Sequence, residues 1–417
     1  MNFFESQTYL ETLIPKDFRA DLKPMAEVCD HFGNPQLSYP TVHVCGTNGK
    51  GSTCAFLQNI CAFNGFKTGR MISPHLIRLT ERIHINAQEI DEESVVLLTD
   101  EIREKTNDLS YFEFLTLMGF LFFQRQQIDI AVIETGLGGR WDATNVVKPH
   151  VAVITSISFD HMRHLGNTLT AITTEKCGIL KEGMPVVTAQ QPDEVMQVIE
   201  QISRERGCEL FVADPRMISS PLGLAGEHQK QNAACAAVAT SILKTKGFSL
   251  SNIEKALLKT TWPGRLEYLL PNVLLDGAHN EDGCRKLAAY LRAHCDPFKT
   301  ILVFGVFRDK NYEAMLRFLQ PCVAKIVIVR APSHRAAEPD EIAAIAVREG
   351  AKVSCKESIE ETFDDCFYSL APDETLVIAG SLSVVGAVRK HVGEHYGISH
   401  NTTATTSRER TVASSRR

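Results

Sequence analysis

The sequence predicts an α/β protein built on parallel sheets. Two observations carry this: short, continuously apolar, β-branched runs recur along the chain, and amphipathic stretches of helical period separate them. A third observation narrows it. The run TVHVC at 41–45 stops at Gly46-Thr47-Asn48-Gly49-Lys50-Gly51-Ser52-Thr53, a glycine-rich turn followed by an apolar segment holding Ala55, Phe56, Leu57 and Ile60.

In chain order, strands are predicted at 41–45, 128–133, 151–157, 185–188, 272–275, 300–304, 325–330 and 375–379. Several are apolar almost throughout, as expected of parallel strands covered by helices on both faces. Helical patterns fall between them at 92–105, 112–126, 193–206, 227–245 and 282–294. Pro and Gly within Thr261-Trp262-Pro263-Gly264 break regular structure between a helical segment and a fresh strand. The predicted division is therefore one domain over 1–262 and a second over 263–398. The stretch 399–417 is polar and rich in Ser and Thr, and is expected to be a disordered tail.

Composition excludes several classes. The chain has 417 residues, 44% hydrophobic and 23% charged, with a net charge of −6, which is ordinary for a globular protein and wrong for a nucleic-acid-binding body. Its twelve cysteines form no CxxC pair, so reduced, mostly buried thiols are expected. The most apolar long run, 112–123, contains Glu113 and is too short to span a bilayer, so no membrane partner is expected. The first residues lack a basic region followed by an apolar core. A cytoplasmic monomer acting on small molecules is the expectation.

The glycine turn carries the chemistry. Gly46, Gly49 and Gly51 let backbone N–H groups crowd an anion, because no Cβ stands in the way. Lys50 adds a point charge for the β/γ-phosphates, and Ser52 or Thr53 a hydroxyl near a metal. The helix that follows turns its N-terminus to the same anion. The pattern departs from G-x-x-x-x-G-K-[ST] at two places, since Gly51 follows the lysine and Val44 stands where the first glycine belongs. An ordinary glycine-rich turn is the competing reading of such a shortened motif.

A phosphate loop calls for magnesium, which takes hard oxygen ligands at strand ends. Glu134 follows the run IDIAVI directly, and Asp160-His161 follow VAVITSI. A capping or solvated glutamate and a surface histidine are the plain alternatives. Lys176 sits in Glu175-Lys176-Cys177-Gly178-Ile179 among apolar neighbours, where a lowered pKa would let the amine take up carbon dioxide as a carbamate. Gln229 and Asn232 share one face of an alanine-rich helix and suit either base or ribose recognition or a simple polar cap. Arg265 follows the Pro-Gly break and could swing toward a phosphate if two domains close. Asp276-Gly277-Ala278-His279-Asn280 repeats the strand-to-turn-to-helix pattern, with polar side chains expected to face a cleft between domains.

Together these residues resemble the folylpolyglutamate synthase/dihydrofolate synthase family, a branch of the Mur ligase superfamily. The matching motifs are GTNGKGS (46–52), SPHL (73–76), ERI (81–83), ETGLGGRWDATN (134–145), SxxxDHxxxLG (156–166), EKCGI (175–179), GEHQxxNA (226–233), WPGRLE (262–267), DGAHN (276–280) and GSL (380–382), in the family's order. Gly51 after the lysine is itself typical of that family. The resemblance implies a P-loop, Mur-ligase-like N-terminal domain with a parallel sheet, and a smaller Rossmann-like C-terminal α/β domain.

It also implies roles. ATP would be held by Asn48, Gly49, Lys50, Gly51, Ser52, Asn232, Arg265 and Asp276. Two Mg2+ ions would take Ser73, Glu134, His161 and a carbamylated Lys176 as ligands. Phe112, Glu113, Asp142 and Ala143 lie in segments that bind the pterin acid, and Asp276, His279 and Ser381 in the domain that takes the incoming glutamate. Lys50, Lys176, Arg265 and His279 would carry catalysis. Departures are Ser383 where tyrosine is common, Trp141 where leucine is common, and a loosely similar segment at 20–38.

The implied reaction joins L-glutamate to dihydropteroate, or to a reduced folate, through an acyl phosphate formed with ATP. Two other readings stay open at this level: another amide ligase of the superfamily, such as one building cell-wall precursors, and a non-enzymatic regulator that only senses ATP.

Overall fold

The computed structural model describes residues 1–14 and 19–396. The tail expected at 399–417 lies outside the described residues. The chain divides into two compact units, Met1–Trp262 and Pro263–Arg417, the second described through Tyr396.

The first unit is an eight-stranded sheet. Its strands are β1 (Thr41–Cys45), β2 (Thr68–Met71), β3 (Ile83–Ile85), β4 (Gln88–Glu89), β5 (Ile130–Glu134), β6 (Val151–Ile154), β7 (Val186–Ala189) and β8 (Leu210–Ala213), in the order β4-β3-β2-β5-β1-β6-β7-β8. The strands from β2 to β8 run parallel, and β3 and β4 are antiparallel additions at one edge. β1 is buried throughout and lies between β5 and β6, with Val42 opposite both Val132 and Val151. Chain order reverses across β1, so its carboxyl end opens at a switch point.

Four strands of this sheet, β2, β3, β4 and β8, are absent from the sequence prediction. β2, β3 and β4 carry Gly69-Arg70, His84 and Gln88-Glu89 where an apolar run would register, and β8 is a four-residue edge strand with only Ala213 buried. The strand expected at 151–157 ends at Ile154. Beyond it the backbone serves the glycine turn instead of the ladder: the Ser156 carbonyl accepts from the amides of Thr47 and Asn48 at 2.9 and 3.1 Å.

Helices cover both faces. On one, Phe56, Leu57 and Ile60 of the helix Lys50–Phe63 pack with Val42, Val44 and Val132 and with Ala233 to Ala237 of the helix His228–Thr245. The alanines bring the two helices close, and that approach sets Gln229 and Asn232 beside the glycine turn. On the other face, the helix Tyr111–Arg125 buries Phe114, Leu117, Phe120 and Phe123 against Ala131 and Ile133. Each such side chain contributes about 1.5–3 kcal/mol on leaving water.

The second unit is a six-stranded sheet of β9 (Glu267–Leu270), β10 (Val273–Leu275), β11 (Thr300–Phe304), β12 (Lys325–Val329), β13 (Val353–Lys356) and β14 (Thr375–Ala379), ordered β13-β12-β11-β14-β10-β9. All pairs are parallel except β9 with β10. Glu267 and Arg389, each 3% exposed, form an ion pair at 3.2 Å, and Glu267 also accepts from the Gly264 amide at 2.7 Å. This buried pair ties the start of β9 to the helix Leu382–Tyr396.

All twelve cysteines are free thiols. Nine are buried, Cys208 and Cys295 are half-buried, and Cys355 is exposed. No described helix is long and apolar enough to cross a membrane.

Candidate active site

The glycine turn leaves β1 and enters the helix Lys50–Phe63 with Gly49 as its left-handed cap, φ 88°. Glycine is needed there for a second reason, since a Cβ at Gly49 would stand 2.2 Å from Oδ1 of Asn232. A Cβ at Gly46 would meet Oγ1 of Thr155 at 1.9 Å. The turn is therefore clamped between the end of β6 and the helix His228–Thr245. Asn232 donates to Oε1 of Gln229 at 2.9 Å, and Gln229 donates to the Ser52 hydroxyl at 3.3 Å. Both amides thus brace the turn and its first helical residues.

Two lysines converge on this turn. Nζ of Lys50 donates to the Thr47 carbonyl at 3.2 Å and lies 3.9 Å from Oε1 of Glu134. Nζ of Lys176 donates to the Gly46 carbonyl at 2.7 Å. Lys176 is 4% exposed, and burial brings its ammonium down to about 8. A substantial neutral fraction at mild pH is what carbamate formation requires.

Glu134 ends β5 and is buried. The loop after it is knotted from within. Asp142 accepts from the Leu137 amide at 2.7 Å, from the Thr144 amide at 3.0 Å and from the Thr144 hydroxyl. Burial raises the Asp142 pKa, against these hydrogen bonds. Having donated to Asp142, the Thr144 hydroxyl accepts from Nε2 of His43 at 2.7 Å. Ala143 is buried in the same turn. Gly136 has no room for a Cβ, which would sit 2.5 Å from the Phe112 ring. Glu113 closes a capping box, its carboxylate accepting from the Ser110 amide at 2.7 Å. Phe112 is thus half-buried against the loop that follows Glu134, while the carboxylates of Glu113 and Asp142 hold backbone.

Ser73 lies two residues beyond β2, half-buried. Its loop is held by the next motif along: Glu81 accepts from the amides of Leu76, Ile77 and Arg78 at 2.6 to 3.0 Å, and Nε of Arg82 donates to Nδ1 of His75 at 2.8 Å. His161 caps a short helix at φ 51°, its ring 4.0 Å from Asp160.

Among the described residues, no three His, Cys, Asp or Glu side chains gather as a metal site. The expected ligand set does not need them to, because two of its four members are a serine and a modified lysine. The oxygen chemistry fits magnesium: the hydroxyls of Thr53 and Ser158 are buried beside the turn and, among the described residues, have no hydrogen-bond partner.

In the second unit, Asp276 follows β10 and accepts from the Leu266 amide at 2.9 Å and the Ala278 amide at 3.0 Å. Burial raises its pKa while Arg265 opposes the rise. A Cβ at Gly277 would stand 2.6 Å from Nη1 of Arg265, so the guanidinium lies directly over that glycine. Leu266 takes a left-handed conformation, φ 46°, that turns the chain between Arg265 and β9. Nδ1 of His279 lies 2.8 Å from the Gly277 carbonyl. Ser381 is buried before the helix Leu382–Tyr396 and shares a 2.7 Å hydrogen bond with Ser383. Arg265, Asp276 and His279 thus form one cluster at the carboxyl end of β10.

Sequence reasoning missed four residues that hold these groups: Thr155 under Gly46, Glu81 and Arg82 behind Ser73, and Trp262 beside Gly51. For Thr155 no local signal exists, and Trp262 was visible in the WPGRLE motif without its task, since each meets its glycine only through the fold. The ERI motif was visible, but its task was not.

A phosphate-type loop at a sheet switch point, joined to a second α/β unit, defines a Mur-type ligase. Residues 44–240 match the Mur ligase middle domain, and residues 264–382 the Mur ligase glutamate ligase domain. The dihydrofolate synthase/folylpolyglutamate synthase of Bacillus subtilis is 32% identical over 93% of this chain and 98% of its own length. The folylpolyglutamate synthase of Lacticaseibacillus casei is 31% identical over 94% and 98%. FolC of E. coli, solved in complex with DHPP and ADP, superposes with a TM-score of 0.86 at 28% identity, covering 95% of this chain and 99% of that one. The chain belongs to the dihydrofolate synthase/folylpolyglutamate synthase family.

Proposed function

We propose that the chain joins L-glutamate to dihydropteroate and to reduced folates, using ATP and releasing ADP. As a member of its family it is an ATP-dependent ligase that forms C–N bonds. The observation that carries the reading is the convergence of Lys50 and Lys176 on the carbonyls of Thr47 and Gly46, at the end of β1 and next to Glu134.

A carboxylate oxygen does not leave unaided, so the acid is first phosphorylated. Loop amides and Lys50 hold the ATP phosphates, and the Lys50 ammonium stabilises charge on the transferring phosphoryl group. Arg265 adds a second cation to that charge. Ser73, Glu134, His161 and carbamylated Lys176 are the residues that would hold Mg2+, two ions in our reading, which neutralise phosphate charge when bound. Asn48, Gly49, Gly51, Ser52 and Asn232 shape the nucleotide site, and Asp276 holds the segment that presents Arg265. Phe112 and Ala143 contact the pterin acid, in a segment kept in shape by Glu113 and Asp142. The α-amine of glutamate, held by the His279 and Ser381 segments, attacks the acyl phosphate, and phosphate leaves. The other partners are small molecules only, and the protein works as a cytoplasmic monomer.

An ADP-release assay tests this. Dihydropteroate and tetrahydrofolate should each support ADP release only with glutamate and Mg2+ present, and a cell-wall precursor acid should not. Release with the cell-wall acid alone would move the chain to another ligase branch, and none with any acid would leave a nucleotide sensor.

A further inference from the structure

Strand β2 carries a half-buried cation, Arg70, that the reaction above does not use. The guanidinium carbon of Arg70 stands 4.7 Å from the centroid of the Trp262 ring, within cation–π range. Its Nε is buried and, among the described residues, has no hydrogen-bond partner. The groups facing it are Cys54 of the helix Lys50–Phe63, Glu134 at the end of β5, Glu89 of β4, and His84, its cross-strand partner in β3. Burial lowers the guanidinium to about 10, which leaves it cationic at neutral pH.

The same indole meets the glycine turn. A Cβ added at Gly51 would lie 2.9 Å from Cζ2 of Trp262 and 3.2 Å from Cε2 and Nε1. Gly51 stands between Lys50 and Ser52 in the first turn of its helix, where glycine is the least ordered choice. That turn needs outside support, and the ring supplies it. Trp262 packs in turn on the core cluster shared by this helix and its alanine-rich neighbour.

We propose that Arg70 is a positioning residue for the nucleotide: it holds Trp262 against Gly51 and so fixes the first helical turn that aims Lys50 and the loop amides at the phosphates. The inference rests on the phosphate-loop reading and adds a residue that touches neither nucleotide nor acid.

The chain has two tryptophans, Trp141 and Trp262, so a Trp141→Phe background leaves Trp262 as the only indole reporter. In that background ADP with Mg2+ should change Trp262 emission on binding. Arg70→Leu should weaken ADP binding and raise KM for ATP by roughly fivefold while kcat changes by less than about twofold, with Arg70→Lys falling between. The double variant Arg70→Leu/Trp262→Leu, with ADP binding read by titration calorimetry because it lacks the indole, should bind ADP no more weakly than Trp262→Leu alone, because the arginine acts through the ring. Wild-type affinity in Arg70→Leu, or additive losses in the double variant, would overturn the proposal. If Arg70→Leu does not fold, Arg70→Lys carries the same cycle. Lys50→Ala separates the two readings: retained ADP affinity there sinks the phosphate-loop reading, whereas lost affinity there with full affinity in Arg70→Leu sinks this inference alone.

Discussion

Lys176 Nζ donates to the Gly46 carbonyl at 2.7 Å, across 130 residues of sequence. An amine buried to 4% exposure is thereby held at the mouth of β1, where an added carboxyl group would become an anion beside the glycine turn. Lys176→Ala should remove most ligase activity, and millimolar acetate or formate should restore part of it. Added alkylamines should not. Rescue by amines instead would show that the lysine acts as a plain cation, and normal activity in Lys176→Ala would show that it has no part in the reaction.

Lys50 carries charge at the turn, its ammonium on the Thr47 carbonyl and near Glu134. Lys50→Ala should lower ATP turnover by about two to three orders of magnitude, the scale for one lost transition-state donor. Its melting temperature should stay within a few degrees of wild type. Turnover near the wild-type rate would remove Lys50 from the phosphoryl-transfer machinery.

Glu134 is a buried carboxylate, not an apolar core residue, and the His161 side chain is 38% exposed, so neither adds apolar packing. Glu134→Gln and His161→Ala should each cost activity far more than stability, with the loss softened as Mg2+ is raised. Global unfolding of both variants, seen by circular dichroism, would instead mark them as structural.

The buried His43 and the half-buried His84 make the first unit sensitive to acid. Burial lowers His43 to about 3 and His84 to about 2, and their Nδ1 atoms have no hydrogen-bond partner among the described residues. Below about pH 6.5 the unfolded chain takes up protons that the folded chain refuses. Their contribution is complete above pH 6.5 and is lost on the way down to those lowered values, by about 1.4 kcal/mol per pH unit for each histidine. Urea denaturation at pH 7.5, 6 and 5 measures this. His43→Gln should flatten the slope, and an unchanged slope in both His43→Gln and His84→Gln would refute it.

In the second unit, Arg389→Met should destabilise by about 3–5 kcal/mol, because it strands the Glu267 carboxylate without its cation. Arg389→Met/Glu267→Leu should recover part of that loss but not all, since the Gly264 amide then lacks its acceptor. Equal denaturation midpoints for the single and double variants would show that the stranded carboxylate is not what destabilises Arg389→Met.

Strand ends were legible where the strand was long and apolar. Thr41–Cys45 and Thr375–Ala379 fall where periodicity places them, and Glu134 was readable because an unbroken apolar run stops just before it. β2, β3 and β4 were not, because glycine and polar residues break any apolar run there. The glycines at 46, 49 and 51 were legible as a phosphate turn, but what makes each obligatory was not. Thr155, Asn232 and Trp262 occupy those three spaces, and each arrives from more than 100 residues away. Carboxylates were the least readable group: Glu113 and Asp142 have the chemistry of substrate ligands, yet one oxygen of Glu113 and both of Asp142 accept from nearby amides. Residue type gives the chemistry available, and only three-dimensional neighbours decide whether it points outward or into the scaffold.

The free cysteines turn the molecule into its own stopwatch. Six buried thiols, Cys29, Cys45, Cys54, Cys61, Cys177 and Cys235, belong to the first unit, and three, Cys284, Cys322 and Cys366, to the second. A thiol sealed in the folded state reacts with an alkylating pulse only while its surroundings are open. Peptide masses after timed pulses therefore date the opening of each unit separately, with Cys355 as an always-reactive internal standard and no engineered label needed.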